Sequence, residues 1–135
     1  MNQSERLLVF LLRLGGALTG SAVLAVFLPE SWMAAVHRSI GLGEFPASPL
    51  TDYLTRSLSA MYAFHGGFLL ALSTNVRRFR GVIVYVGWAT LVLGVLLTGI
   101  DLHAGLPAWW LWAEGPWVSV IGFVIVRLAS RVELS

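Results

Sequence analysis

The feature that most constrains this chain is the recurrence of four apolar stretches, at residues 7–28, 51–74, 81–101 and 116–131. Each is close to the roughly 20 residues that carry an α-helix across a hydrocarbon core. Backbone in hydrocarbon finds no water, so a spanning segment must satisfy its own N–H and C=O groups, and an open chain does this as a helix. The pattern predicts an all-α fold: a polytopic membrane four-helix bundle with a short outer interfacial helix, in a single integral membrane domain over residues 1–135. Composition agrees, since 57% of residues are hydrophobic and only 12% are charged. A soluble fold would carry about a quarter.

Punctuation between the stretches is local chemistry. The first ends at Pro29-Glu30 and contains Arg13, whose long side chain can snorkel to the headgroups from near the inner edge. Its length, Arg13 and the Pro-Glu-Ser ending predict a retained helix rather than a cleaved signal peptide. The second stretch follows Pro46 and Pro49, with Thr51 or Asp52 as the expected N-cap. Segments 31–40 and 107–114 read as interfacial. In the first, Trp32, Val36 and Ile40 recur every fourth residue before Gly41. The second is rich in tryptophan and is separated from the last stretch by Gly115-Pro116. Trp109, Trp110, Trp112 and Trp117 suit a membrane rim, where an indole buries its ring and keeps its N–H wet.

Loop charge sets the expected orientation. Arg6, Arg13, Arg77, Arg78, Arg80, Arg127 and Arg131 fall on one side of a four-helix topology, and only Arg38 and Arg56 on the other. Basic residues stay on the cytoplasmic side, so both the N- and C-terminus are expected there, in a bacterial inner (plasma) membrane.

Small residues mark where helices approach closely in lipid. Gly16 and Gly20 form a GxxxG pair in the first helix; Gly66 marks the second, and Gly87 and Gly94 the third. These faces predict packing within one bundle, with self-association through Gly16 and Gly20 as the alternative. The short 75–80 loop makes the second and third helices an antiparallel hairpin, which places Arg56 level with Asp101 and His65 level with Thr90. An Arg56–Asp101 ion pair follows, with Asp52 competing for the same guanidinium, together with a hydrogen bond from His65 to Thr90. Candidate site residues are therefore Arg56, Tyr62, His65, Asp101, His103 and Glu114.

Several chemistries are excluded. The chain has no Cys, hence no disulfide or thiolate ligand. No second imidazole matches the depth of His65, which argues against two-His haem, and no metal is expected because His37, His103, Glu44, Asp101 and Glu114 offer no helical ligand pair. No phosphate-binding loop, serine-hydrolase elbow or dinucleotide fingerprint is present. No basic stripe interleaved with aromatics points to nucleic acid.

Arg56 opening the second helix, the Gly66-Gly67 pair within it and the Asp101-x-x-x-Gly105-x-Pro107 exit from the third give a whole-length pattern. In these features the chain resembles small bacterial four-helix membrane proteins of the DoxX-like kind. The resemblance implies a compact bundle, with quinone-linked or redox-accessory roles among its members. The chain departs from it in lacking Cys and a paired intramembrane His, and in its tryptophan-rich outer loop.

The leading functional expectation is a non-catalytic accessory, assembly or lipid-interacting protein without a cofactor, whose partners are membrane lipid and another protein or a second copy of itself. The alternative is a redox-linked protein that binds a quinone among Arg56, Tyr62, His65 and Asp101. A second alternative is a small-molecule exporter, although such bundles need an embedded carboxylate and the first stretch holds none.

Overall fold

The computed structural model describes residues 1–132; the last three residues of the 1–135 domain lie outside the described residues. Seven helices and no strand are found among the described residues: α1 (Gln3–Gly20), α2 (Val23–Phe27), α3 (Glu30–Ser39), α4 (Pro49–Leu72), α5 (Arg80–Ala104), α6 (Ala108–Ala113) and α7 (Gly115–Ala129). The all-helical expectation holds. Three segments are long and apolar enough to cross a membrane: Gln3–Phe27, Arg80–Ala104 and Ala108–Ala129. The chain divides into two compact units, one of residues 1–11 and 72–135, the other of residues 12–71.

In the first unit, α5 and α7 pack antiparallel along a seam of small residues. A Cβ on Gly94 would come within 2.6 Å of the Gly115 carbonyl oxygen, and one on Gly122 within 2.7 Å of the Gly87 carbonyl oxygen. The backbones are in contact, which is how helices gain dispersion energy in lipid, where apolar burial alone drives nothing. Ser119 adds a hydrogen bond across the seam, from its Oγ to the Leu91 carbonyl at 3.1 Å. Beyond the seam α5 ends at Gly105, whose φ of +68° lets the Leu106 N–H reach back to the Asp101 carbonyl at 3.1 Å. The tryptophan-rich segment then forms α6 and meets α7 at a bend on Glu114.

In the second unit, α4 lies against α1. A Cβ on Gly66 would stand 2.5 Å from the Gly16 carbonyl oxygen, and one on Gly16 2.8 Å from Leu70 Cγ. The GxxxG face is therefore covered by α4 of the same chain. The first apolar stretch is not one continuous helix. Thr19 Oγ1 and Ser21 Oγ bond back to the Gly15 and Leu18 carbonyls, and i−3 bonds at Ala22, Leu24 and Ala25 tighten the chain between α1 and α2. Pro29 ends α2 by holding Leu28 extended.

The start of α4 also differs from expectation. Ser48 is the cap: its Oγ accepts the Thr51 N–H at 3.0 Å, and Pro49 takes the first helical position, where no N–H is needed. Thr51 and Asp52 lie inside the helix. At 24 residues α4 is long enough to span, yet with Asp52, Arg56 and His65 it is not among the three helices that qualify by apolarity.

Candidate functional site

In the second unit Arg56 is held locally. Its Nε donates to Asp52 Oδ1 at 2.8 Å, one helical turn away, and its Nη1 donates to the Val26 carbonyl at the end of α2. The last carbonyls of a helix have no partner within it, so a guanidinium there satisfies a backbone group and also favours the negative end of the helix dipole. Asp52, expected as a competitor, is the carboxylate Arg56 uses. Arg56 and Asp52 are about one-third exposed, so the pair is better regarded as a clamp between α2 and α4 than as a large source of stability.

Tyr62 and His65 lie further along α4, three residues apart and both exposed, with no hydrogen-bond partner among the described residues. Nine residues separate Arg56 from His65, which is about half a turn of the helix wheel. The two side chains therefore leave opposite faces of α4 and cannot jointly line one pocket.

In the first unit Asp101 is 3% exposed and its Oδ2 is buried without a hydrogen-bond partner among the described residues. It continues the α7-facing row Gly87, Gly94, at seven-residue spacing, so it lies on the seam side of α5 near the Glu114 bend. No ion pair involves Asp101 among the described residues, and the two partners of Arg56 both belong to its own unit. The carboxylate that Arg56 meets within its own unit is Asp52. Two residues on, His103 is exposed on the other side of α5. Glu114 is half-buried and accepts the Trp110 indole N–H at 2.6 Å, which ties α6 to the bend. No group of three or more metal-ligating side chains is found among the described residues.

The best-organised polar cluster was not among the sequence candidates. Glu5 is 0% exposed and receives Arg77 through two bonds, Nε to Oε1 at 2.8 Å and Nη2 to Oε2 at 3.1 Å. The same carboxylate accepts the Asn2 N–H at 3.1 Å while Asn2 Oδ1 accepts the Glu5 N–H at 2.8 Å. This is a capping box at the start of α1 whose acid is also the partner of a bidentate arginine. The spacing Asn2-x-x-Glu5 is its signal in the sequence. Next to it, Arg80 donates to the Ala129 carbonyl at 2.9 Å and to the Ser130 carbonyl at 3.4 Å, closing the free end of α7.

Polar chemistry in the first unit is therefore divided between its ends. Arginines gather where α1 begins, α5 begins and α7 ends; tryptophans gather at α6 and the start of α7, with Trp109, Trp112 and Trp117 exposed. Compared with known protein families, curated proteins and solved structures, the chain matches none.

Proposed function

We propose that the chain is a multi-pass protein of the inner (plasma) membrane that works non-catalytically through lateral contacts, as an accessory or assembly subunit. In this reading α4 joins the three apolar segments as a fourth crossing, and both ends of the chain face the cytoplasm. Its 24 residues extend about 36 Å, enough for a core of about 30 Å. Its charged residues Asp52 and Arg56 fall in the first two turns, near a headgroup layer. The DoxX-like resemblance belongs to the same proposal, since it implies a bundle of this size.

The observation that carries the reading is the outward display of large apolar side chains along α4 and α5. Phe64 is 82% exposed, Tyr85 72% and Met61 68%. Surfaces of this kind must be covered by acyl chains or by another helix. The arginine that would orient a ligand is occupied by Asp52 and Val26 instead.

Cross-linking in intact membranes, followed by purification in mild detergent, tests it. A discrete larger species containing the chain is expected. A lone monomer in every condition would overturn the subunit role, and a copurifying quinone would replace it with the redox reading.

A further inference from the structure

The arginines at one end of the first unit come from three separate parts of the sequence, and the fold brings them together. The Arg77–Glu5 bonds join the 77–80 turn to the start of α1. The Arg80 bonds to Ala129 and Ser130 join the same turn to the end of α7. Arg6, Arg78, Arg127 and Arg131 thus share one end of the unit, and all four are exposed.

Among the described residues, basic side chains outnumber acidic ones at this end. Glu5 is the acid there among the described residues, and its two oxygens are taken up by Arg77, by Asn2 and, at 3.9 Å, by the terminal amine. Arg6, Arg78, Arg127 and Arg131 have no ion pair among the described residues. The Arg78 guanidinium lies 5.8 Å from the Phe79 ring centroid, a stacking that steadies a planar cation without neutralising it. α5 begins at this spot with no side-chain cap, so the positive end of its dipole adds to the same field.

The chemistry of the donors is selective as well. All nine basic residues of the chain are Arg and none is Lys. A guanidinium offers a planar fork that matches two phosphate oxygens, whereas an ammonium offers a point charge. Four such forks, at the headgroup level of helices that cross a bilayer, face the phosphodiester layer of the leaflet.

We propose that Arg6, Arg78, Arg127 and Arg131 form a binding site for anionic phospholipid headgroups, which the protein holds in preference to zwitterionic ones. The site rests on the membrane reading given above, but it does not depend on a protein partner. Its occupant is a lipid, because the arginines lie at the ends of apolar helices whose sides would hold the acyl chains.

Native mass spectrometry of the full chain in neutral detergent, with phosphatidylglycerol or phosphatidylcholine of identical acyl chains added, tests the site. Phosphatidylglycerol should be retained preferentially, and R78Q, R127Q and R131Q should each lower that preference, by roughly fivefold for each arginine removed. R38Q, outside the cluster, should leave it unchanged. The preference of the unaltered protein should also fall as salt rises, a result that needs no variant to fold. Equal retention of the two lipids, or a preference undiminished in the triple variant or by salt, would overturn the site. Competition by inorganic phosphate as effective as by phosphatidylglycerol would make it a free-anion site and overturn the lipid assignment. Retention of neither lipid would instead overturn the membrane reading itself.

Discussion

Glu5 is the residue whose role departs furthest from what its type suggests. A carboxylate in the first turn of an apolar helix normally points to water; here it is fully buried and serves both as helix cap and as the anchor of Arg77. Removing one member of such a pair leaves the other charge buried and alone, which costs more than removing both. R77Q should therefore lower the thermal midpoint in detergent more than the E5Q/R77Q double variant does. A double-mutant cycle measures this, and additive losses would contradict a coupled pair. Arg56 makes a related point. A carboxylate one helical turn away costs little chain entropy to recruit. Asp52 is that carboxylate, and the carbonyl of Val26 takes what remains of the fork.

At the scale of elements, helix contact is decided by where a methyl group would not fit. Gly66 and Gly94 face backbone of a neighbouring helix, whereas a Cβ on Gly67 or Gly99 would meet nothing within 4 Å. Substitution of Gly66 or Gly94 by Ala should destabilise the bundle by about 1–3 kcal/mol, because two backbones must separate. The same change at Gly67 or Gly99 should be neutral or slightly stabilising, since Ala is the better helix former. Chemical or thermal unfolding of the four variants checks the contrast, and equal effects would show that the seams are misplaced. The small-residue stripes were legible in the sequence because close approach in lipid has few alternatives. The break between α1 and α2 was not, because it arises from Thr19 and Ser21 turning their hydroxyls onto the helix's own carbonyls. The cap of α4 is hidden for a similar reason: Ser48 lies outside the apolar run, whereas Thr51 and Asp52, equally good capping types, lie at its start.

For the whole molecule, an all-helical chain with apolar helices of spanning length could be read from composition and segment length alone. The candidate site was far less legible. Its residues stand out because a bilayer tolerates them poorly, which is as true of structural clamps as of ligand sites. Arg56 and Glu114 are satisfied by neighbours four residues away, while Asp101 is buried with an oxygen that has no partner among the described residues. The residues now implicated in lipid binding were visible as an orientation signal, and only the folded arrangement of three chain segments makes them a cluster. In the proposed topology α4 crosses the membrane as a fourth span, despite its polar residues. Because the chain has no Cys, single cysteines report cleanly. Ala47→Cys, before α4, and Thr74→Cys, after it, can be tested with a membrane-impermeant thiol reagent on intact cells and again after permeabilisation. Four crossings predict that Ala47→Cys reacts in intact cells and Thr74→Cys only after permeabilisation. Reaction of both in intact cells, or of neither until permeabilisation, would mean that α4 does not cross and would contradict the four-span topology.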